Sequence, residues 1–579
     1  MFFRLGAIVA SVALIGTAQV APVFANSDDG HSTANQLKKI NHIVVIYQEN
    51  HSFDNLFGNW GGVNGRSSAP AGKTLQVNQA GVAFNCLKQV DVNLTSPPLA
   101  ASCSDSTTAT TFSSAFGNAP FSIDAVIPAN ATTCPAPGVF APHGLLNGTG
   151  LPGGCTQDIV HRFYQEQYQF NNGQMNRYTT GSDAVGLTQG YFDSTALPLY
   201  AYLHQEDHPS YAISDNFFQA AFGGSFLNHQ LLIAAAPPVW PAAVNDGSAN
   251  DLHSVADVNG MPNNYPLYSS PAGTTVKDNA LTASCAPGPG RGPTPPGVVC
   301  GDYAVNTIQP FYQPYAPGTA TAKRLPPQTA PTIGDRLSAA KVDWAWYSGG
   351  WSNANGDINA SGWTNGAGPT CGSAAISTAV FPNCPDKLFQ FHHQAFNYYA
   401  AYAPGTPARA AHLRDEAEFQ SLAGSSTDEC NLKPVSFVKP IGSENEHPGY
   451  GSETSGSNHL VSLLQSIENS SCRKDTMVVV TYDEFGGQWD HVTPPGQGGV
   501  AGAHDGFGPG TRIPALVVAP HLQGSFVTDH AQHDTTSILA TIEHRFHVAP
   551  LSARDAKVRD LSTVFRAREA EGGDGQRVN

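Results

Sequence analysis

Three short apolar runs are the strongest strand signals in the chain. They span His42–Tyr47 (HIVVIY), Met477–Tyr482 (MVVVTY) and Ile513–Ala519 (IPALVVA). Each run lacks a regular alternation of apolar and polar positions, which is typical of strands in a parallel sheet that is covered on both faces. Helical periodicity lies between such runs, for example at Arg409–Leu422, Ser457–Ile467 and Thr535–Phe546. Alternating strands and helices predict an α/β fold on a mostly parallel sheet with helices on both faces.

Loop-rich stretches interrupt this alternation. They cover residues 63–157, 237–330 and 352–386. None has the apolar spacing of an independent core, so we predict three insertions within one catalytic domain over residues 38–552. Residues 26–37 are polar and are predicted to form a flexible linker. The charged residues 553–579 are predicted to form a peripheral tail.

The first 25 residues have the features of a signal peptide. A single arginine, Arg4, precedes an apolar stretch, and Val23-x-Ala25 provides a small-residue cleavage site. The apolar stretch is short for a membrane span, and no other segment resembles one, so we expect no integral membrane segment after cleavage. The lone arginine does not favour a twin-arginine signal. The prediction is an exported protein, periplasmic or secreted.

The charge balance excludes one class of partner. The formal net charge is −16, and loss of Arg4 with the leader would make it more negative. An acidic surface repels polyanions, so we expect neither nucleic acid nor an anionic membrane surface as a partner.

The chain contains ten cysteines, an even number that favours disulfides in an exported protein. There is no Cys-x-x-Cys motif, which argues against zinc-ribbon and redox functions. Pairing of sequence neighbours predicts five local bridges, most of them within the insertions: Cys86–Cys103, Cys134–Cys155, Cys285–Cys300, Cys371–Cys384 and Cys430–Cys472.

Acidic residues follow directly after two of the apolar runs. Glu49 and Asn50 come after the first run, and Asp483 and Glu484 come after the second. The carboxyl ends of parallel strands meet at one edge of a sheet, where ligands bind in open α/β folds. Three gathered carboxylates repel one another unless a cation lies between them. Either motif alone is also compatible with loop acids or helix caps, but together they favour one divalent metal ion held by oxygen ligands.

The residues around these acids resemble a known family. Glu49–Gly58 (Glu-Asn-x-Ser-Phe-Asp-x-x-Phe-Gly) and Asp483–Pro495 (Asp-Glu-x-Gly-Gly-x-x-Asp-His-Val-x-Pro-Pro) are similar to the opening and closing motifs of the bacterial phosphoesterase family. That family contains phosphatidylcholine-type phospholipases C and acid-phosphatase-A-type enzymes. Further collinear matches, such as TIGDRLS and VSFVKPIGSENEHPGY, extend the resemblance over about residues 38–550. The resemblance implies an alkaline-phosphatase-like α/β fold with long disulfide-closed insertions.

Ser225 is the candidate nucleophile. It follows Gly223 and Gly224 in a predicted strand-to-helix turn, where glycines let the backbone approach a phosphate and helix N–H groups face it. A Ser or Thr followed shortly by Asn is the family pattern, and Asn228 matches it. The flanking residues differ from the Gly-Pro-Thr-x-Pro-Asn-Arg of many phospholipase members, which favours the acid phosphatase branch.

Four histidines match positions that surround the phosphate in that branch: His161, His392, His393 and His447. Histidine can donate to phosphate oxygens and protonate a leaving alkoxide. If His392 and His393 lie on a strand, their side chains point to opposite faces, so only one needs to contact substrate. His491 is expected to hold its loop and is left out of the site.

The resemblance implies an exported, metal-dependent phosphomonoesterase of the acid phosphatase type. Ser225 would attack phosphorus and form a phosphoserine, and His161 would protonate the leaving group. The Ser225 oxygen would join Glu49, Asn50, Asp483 and Glu484 around one divalent ion. The substrate would be a phosphate ester, either a small molecule or a lipid headgroup.

Two other functions remain open. One is a phospholipase C acting on choline phospholipids through a wider, aromatic-lined entrance to the same site. The other is a catalytically silent ligand-binding protein on the same fold, although an intact Ser225 and a full set of acids argue against it. Sulfatases need a Cys/Ser-x-Pro-x-Arg motif, and none surrounds Ser225.

Overall fold

The structure is a computed structural model. It describes residues 35–569 except 91–98, 128, 137–149, 241–254, 258, 262–264, 271–273, 278–302, 317, 365–384 and 387. The predicted leader and most of the predicted linker lie outside the described residues. The predicted bridges Cys285–Cys300 and Cys371–Cys384 also lie outside them.

A nine-stranded sheet forms the centre of the fold. In chain order its strands are β1 His42–Gln48, β2 Tyr211–Ser214, β3 Trp344–Ser348, β4 Leu413–Asp415, β5 Val435–Lys439, β6 Thr476–Tyr482, β7 Ala515–Val518, β8 Phe526–Asp529 and β9 Arg568–Glu569. Their order across the sheet is β4-β3-β5-β1-β6-β7-β2-β8-β9. The two longest strands, β1 and β6, are neighbours near its middle.

The predicted mostly parallel sheet is confirmed, with one exception among the predicted strands. β4, β3, β5, β1 and β6 run parallel, whereas β7 is antiparallel to both β6 and β2. The run at Ile513–Ala519 therefore does form a strand, but its direction was wrongly predicted. The apolar character of this run indicates that the strand is buried, and it does not indicate whether the strand is parallel or antiparallel to its neighbours. Every residue of β6 is buried, and successive side chains point to opposite faces, so both faces of the sheet are covered.

Eleven α-helices accompany the sheet in the described part of the chain, in addition to the helical residues 35–37 at its start. They are α1 Phe53–Leu56, α2 Ala71–Thr74, α3 Phe163–Phe170, α4 Pro198–Leu203, α5 Ser225–Ala234, α6 Ile333–Ala339, α7 Trp351–Asn355, α8 Pro407–His412, α9 Glu416–Gly424, α10 Glu453–Glu468 and α11 Thr536–Phe546. The helices predicted at Ser457–Ile467 and Thr535–Phe546 are confirmed. None of the helices in this part of the chain has the length and apolar character needed to span a bilayer.

The helix predicted at Arg409–Leu422 is wrong as a single element. The chain forms α8, then the short strand β4, then α9. β4 pairs with β3, and Asp415 caps α9 by accepting from the Ala417 N–H at 3.1 Å. Pairing at the sheet edge therefore overrides a helical sequence pattern at three residues.

Short strand pairs and 3₁₀ helices occupy the connecting segments. The pairs are Cys86–Leu87 with Phe116–Gly117, Cys103–Asp105 with Phe112–Ser114, Phe121–Ser122 with Gly190–Tyr191, Phe217–Phe218 with His533–Asp534, Val255–Asp257 with Thr274–Lys277, and Gln309–Pro310 with Arg324–Leu325. The 3₁₀ helices are Arg66–Ser68, Val185–Gln189, Ser194–Ala196, Thr321–Lys323, Phe391–His393, Ala395–Tyr398, Ala400–Tyr402, Ser471–Lys474 and Leu561–Arg566.

Three of the predicted disulfides are confirmed, Cys86–Cys103, Cys134–Cys155 and Cys430–Cys472. The first two lie in the insertion at residues 63–157. The same insertion adds Leu87, Phe116 and Ile123 to the apolar cluster that surrounds the central sheet. It therefore packs on the main core.

The prediction of a peripheral tail from residue 553 is wrong for its first part. Leu561, Val564 and Phe565 are buried in the main core, and Arg568–Glu569 forms the edge strand β9. The charged residues that suggested a tail are paired internally, as in the Arg554–Asp534 ion pair at 3.0 Å. Leu37, the last residue of the predicted linker, is also buried in the core.

Candidate active site

Strands β1, β5 and β6 bring both acid motifs to one edge of the sheet. β1 pairs in parallel with β5 and β6, and its register with β6 ends at Gln48 opposite Tyr482. The next residues, Glu49 and Asp483, are therefore neighbours. Glu49, Asn50, Asp483 and Glu484 are all fully buried. The structure thus brings together the four residues that were predicted from the strand ends.

Ser225 reaches the same edge from the first position of α5. Its Oγ donates to Glu49 Oε2 at 3.1 Å and lies 3.5 Å from Asn50 Oδ1. Asn228 closes the turn before the helix, because its Nδ2 donates to Ala221 O at 3.1 Å and its Oδ1 accepts from the Ala221 N–H at 2.9 Å. The trailing asparagine of the motif therefore shapes the turn that presents Ser225.

The two glycines before Ser225 permit a close approach of the segment that carries His161. Gly223 has a left-handed backbone with φ +85°, and a Cβ there would lie 2.5 Å from Phe163 N. A Cβ at Gly224 would lie 3.0 Å from His161 Cδ2. Larger residues at these positions would push His161 away from the turn of Ser225.

Each acid has one oxygen fixed by a hydrogen bond. Asp483 Oδ1 accepts from the Asn50 and Glu484 N–H groups at 3.1 and 2.8 Å. Glu484 Oε2 accepts from the Gly486 N–H at 2.6 Å. Asn50 has a left-handed backbone with φ 59°, a strained conformation that is common at functional sites. The backbone thus orients the acids.

Lys439, which the sequence analysis did not identify, is the cation of the site. It is the last residue of β5, and only 1% of its surface is exposed. Its Nζ forms an ion pair with Glu49 Oε1 and donates to Tyr47 O at 2.9 Å. The parallel pairing of β5 with β1 could have indicated it, because Lys439 ends a strand beside Glu49.

His447 sets the orientation of the Asn50 amide. The His447 Nδ1 faces Pro448 O at 2.7 Å, so Nδ1 carries the proton and Nε2 is an acceptor. This Nε2 lies 3.1 Å from Asn50 Nδ2, which therefore donates to it. The Asn50 Oδ1 consequently turns toward Ser225, in the orientation that a metal ligand requires.

His161 lies at the boundary between the acids and solvent. Its Nδ1 donates to Ile159 O at 2.6 Å, and its Nε2 lies 3.5 Å from Glu484 Oε1. About 20% of the side chain is exposed. A cleft of about 320 Å³ opens here, lined by residues that include Asp158, His161, Arg162, Asp183, Gly224 and Phe226. The cleft gives substrate access to the Ser225 turn.

His392 and His393 do not lie on a strand, so the argument from opposite strand faces is wrong. They end the 3₁₀ helix Phe391–His393, and their rings are 4.3 Å apart. His393 is buried with its Nε2 3.3 Å from Glu49 Oε1, whereas His392 is partly exposed. His229 of α5 stacks on His393 at 4.8 Å, and its Nε2 lies 3.9 Å from the same oxygen. His229 is a further neighbour of the acids that sequence reasoning missed.

The buried acids have raised pKa values. Burial and the nearby Asp483 raise the pKa of Glu49 well above its ordinary value, although Lys439 opposes this. Burial and Asp483 likewise raise the pKa of Glu484 well above its usual range, and burial raises that of Asp483. Three carboxyls this close cannot all ionise readily unless more positive charge is present. Burial lowers the pKa of His393 and of His447 well below the ordinary value, so both rings are neutral.

These residues fit one divalent cation. Asp483 Oδ2 and Glu484 Oε1 are buried and have no hydrogen-bond partner among the residues that the structure describes. Three carboxylates beside one ammonium leave an excess of two negative charges, which one divalent ion would balance. The donors are oxygen atoms, which suits a hard or borderline metal. We call Glu49, Asn50, Ser225, Asp483 and Glu484 the strand-end cluster.

A second buried group of acids lies in the same two motifs. Arg512 bridges Asp54 Oδ1 at 3.0 Å and Asp490 Oδ1 at 3.1 Å. His491 contacts Asp54 Oδ2 through its ring and through its N–H at 2.9 Å. The structure therefore agrees with the expectation that His491 holds its loop. We call Asp54, Asp490, His491 and Arg512 the arginine-paired cluster.

Comparison with known proteins places most of the chain in one family. Residues 40–549 match the profile of the Phosphoesterase family. This range includes every residue of the strand-end cluster and the four predicted histidines.

Curated relatives match over shorter segments. Phospholipase C B of Mycobacterium tuberculosis (strain H37Rv) is 32% identical over 157 residues, which cover 23% of this chain and 29% of that protein. The non-hemolytic phospholipase C of Pseudomonas aeruginosa is 25% identical over 225 residues, which cover 33% and 32%. Non-specific phospholipase C6 of Arabidopsis thaliana is 29% identical over 144 residues, which cover 22% and 28%. The matches thus span about a third or less of each relative.

Solved structures give only distant matches. A 2-O GAG sulfatase superposes with a TM-score of 0.28 at 12% identity, covering 66% of this chain and 72% of the other. A protein in the alkaline phosphatase superfamily from Vibrio parahaemolyticus gives a TM-score of 0.23 at 14% identity, covering 44% and 56%.

Proposed function

We propose, since the chain belongs to the Phosphoesterase family, that it is an exported metal-dependent phosphomonoesterase that hydrolyses phosphoric ester bonds. The single observation that carries the proposal is the geometry of Ser225. Its Oγ lies 3.1 Å from Glu49 Oε2 at a helix N-terminus, in the cluster where Asp483 Oδ2 and Glu484 Oε1 accept no hydrogen bond from the described residues. Export is supported by the predicted leader and by three disulfides, which are typical of oxidising compartments.

One divalent ion would be held by Glu49, Asn50, Asp483 and Glu484 together with the Ser225 oxygen. Such an ion lowers the pKa of a nearby hydroxyl and neutralises charge on a phosphate. Glu49 Oε2 holds the Ser225 hydroxyl in position and accepts its hydrogen bond. The first N–H groups of α5 point toward the position of the phosphate and favour its negative charge.

The reaction proceeds in two displacements. Ser225 Oγ passes its proton to Glu49 Oε2 and forms a bond to phosphorus as the ester oxygen leaves, and the leaving oxygen takes a proton from the protonated His161 Nε2. The Nδ1 of His161 remains bound to Ile159 O, which keeps Nε2 directed at the cleft. Water then attacks the phosphoserine and gives a proton to His161 Nε2, and phosphate leaves as Ser225 Oγ takes its proton back from Glu49 Oε2. His392, His393 and His447 surround the phosphate, and His447 also orients Asn50.

Trapping of the covalent intermediate tests this proposal. Metal-loaded full-length protein is mixed with p-nitrophenyl phosphate, quenched in acid and digested. We expect one phosphate, on the peptide that contains Ser225, by mass spectrometry. Rapid release of p-nitrophenol without any phosphopeptide in a quench time course would overturn the covalent mechanism.

Phospholipase C activity is the second candidate, and two observations favour it. The three curated relatives described above are phospholipases C. The cleft beside Ser225 also combines the carboxylates of Asp158 and Asp183 with the aromatic rings of Phe226 and Tyr265. Acids and aromatic rings together suit a quaternary ammonium group such as choline.

A substrate pair separates the two candidates. The ratio of kcat/KM for p-nitrophenyl phosphate to that for p-nitrophenyl phosphorylcholine is measured on the same preparation. A ratio well above one supports the monoesterase, and a ratio well below one supports the phospholipase C. If Asp158 and Asp183 recognise a cationic headgroup, Asp183→Asn should reduce activity only on the choline ester.

A further inference from the structure

The structure contains a second cation position beside the strand-end cluster. Glu49, His229 and His393 each direct one donor atom to it, and these atoms lie within 4.8 Å of one another. The two histidine rings are stacked with an interplanar angle of 7°, and all three residues are at least 97% buried. Carboxylate and imidazole ligands in such a group are typical of transition-metal sites.

The protonation of His229 is fixed by α5. Its Nδ1 lies 2.8 Å from the carbonyl oxygen of Ser225, so Nδ1 carries the proton and Nε2 presents a lone pair. This lone pair faces Glu49 Oε1 at 3.9 Å, which is also an acceptor. Neither His229 Nε2 nor His393 Nε2 has a hydrogen-bond partner among the described residues. His229 Nε2 and Glu49 Oε1 are therefore two acceptors that face one another in a dry site, an arrangement that a cation stabilises.

Lys439 supplies a positive charge next to this position, at the carboxylate of Glu49. Its Nζ contacts Glu49 Oε1, the oxygen that both histidines face. The ammonium is held in place, because it also donates to Tyr47 O at 2.9 Å and its residue ends a fully buried strand. A divalent ion bound to Glu49 Oε1 would lie next to this fixed ammonium, and the two positive charges would repel each other strongly.

We propose that the fixed ammonium of Lys439 excludes a divalent ion from a latent second metal subsite formed by Glu49, His229 and His393, and thereby keeps the protein mononuclear. Lys439 is a positioning residue in this arrangement. It directs Glu49 Oε1 to the ammonium and leaves Glu49 Oε2 for Ser225. The proposal rests on the proposed function, since it assumes that a first ion is held by the strand-end cluster.

The test counts Co²⁺ ions per full-length chain by elemental analysis and calorimetric titration, with visible absorption to report nitrogen ligands. Wild type should bind one ion. Lys439→Met removes the ammonium at nearly constant volume and should bind two. The double variant Lys439→Met/His229→Asn should bind one ion, because it lacks a ligand of the second. Lys439→Arg keeps the positive charge and should therefore bind one ion, as wild type does.

Matched controls and contrary outcomes decide the proposal. Lys433→Met removes the ammonium of a partly exposed ion pair with Asp343 and should keep one ion. A folded Lys439→Met that binds only one ion would overturn the proposal. If that variant does not fold, Lys439→Gln also removes the ammonium, and a folded Lys439→Gln should bind two ions; a count of one would overturn the proposal. A wild type that binds two ions and loses one in His229→Asn would refute it.

The same experiment separates this proposal from the proposed function. A wild type that binds no Co²⁺ would contradict the strand-end metal site. The inference about Lys439 would then be decided by whether Lys439→Met gains an ion that depends on His229.

Discussion

The strand-end cluster and the arginine-paired cluster both contain several buried carboxylates, and they differ in how the negative charge is balanced. Both are buried, and both draw their acids from the same two sequence motifs. In the arginine-paired cluster every carboxylate oxygen accepts a hydrogen bond from Arg512, from His491 or from a backbone N–H. In the strand-end cluster, Asp483 Oδ2 and Glu484 Oε1 accept none from the described residues.

The acids of the two clusters differ in pKa accordingly. Burial would raise the pKa of Asp54, but Arg512 and His491 outweigh it and hold the pKa below its ordinary value. Burial raises the pKa of Asp490, although Arg512 opposes it. The pKa values of Glu49 and Glu484, in contrast, lie well above their usual range. The acids of the arginine-paired cluster are balanced by the protein itself, whereas those of the strand-end cluster would be balanced by the proposed metal ion.

Ser225→Ala should have the largest effect on activity and almost none on the fold. Removal of the nucleophile eliminates the covalent route, so turnover should fall on the order of 10³-fold or more. Thermal unfolding should change little, because the Oγ makes only the contacts of 3.1 Å with Glu49 Oε2 and 3.5 Å with Asn50 Oδ1. Ser425→Ala, at an exposed position after α9, is the control. Near-wild-type turnover in Ser225→Ala would contradict the mechanism even if the metal is present.

Asp483→Asn and Asp490→Asn form the pair that compares the clusters most directly. Both remove one charge from a fully buried aspartate in the same motif. Asp483→Asn should lose the metal ion and reduce turnover on the order of 10²-fold or more. Asp490→Asn should keep the ion and lower stability instead, because it breaks the pair with Arg512. Elemental analysis and thermal unfolding of both variants check this; full metal occupancy in Asp483→Asn would argue against the strand-end site.

The sequence predicted the strand-end cluster better than its surroundings, for a physical reason. Glu49 and Asp483 follow long apolar strands, and parallel pairing brings the ends of such strands together. Lys439 ends the shorter strand β5 and is a single charge, so only the sheet order reveals it. His229 has no distinguishing pattern in the sequence, because its contact with Glu49 depends on how α5 packs.

The fold was predicted in outline, and the errors are equally informative. β4 has only three residues and lies within a helical pattern, so pairing with β3 decided its structure. β7 is apolar because it is buried, and a buried antiparallel strand has the same pattern as a parallel one. The charges of residues 553–569 concealed the buried Leu561, Val564 and Phe565.

Arg512→Met should reveal the cost of removing the balancing charge from the arginine-paired cluster. It leaves Asp54 and Asp490 buried without their cation, which should lower the free energy of unfolding by about 3–5 kcal/mol. Arg414→Met is the control, since Arg414 pairs with Glu418 at the surface of α9 and should cost less than about 1 kcal/mol. Chemical denaturation measures both variants. Equal losses would show that Arg512 does not stabilise the buried charges of Asp54 and Asp490 more than a surface ion pair stabilises its partners.

His459→Gln should have the smallest effect, and it depends on pH. His459 Nε2 lies 2.5 Å from Glu416 Oε1, and Glu444 lies nearby, so these two acids are balanced by a cation that can lose its charge. Although burial opposes it, Glu416 raises the pKa of His459 to about 9. A raised pKa in the folded state stabilises the fold fully below the ordinary histidine pKa and is lost as pH rises through the folded value. The variant should therefore lower the free energy of unfolding by about 2 kcal/mol at pH 6 and by much less above pH 9.

His544→Gln, whose more exposed ring pairs with Asp560, should show a smaller difference over the same range, because solvent screens that pair. A pH-independent loss in His459→Gln would mean that packing, rather than charge balance, holds α9 against α10.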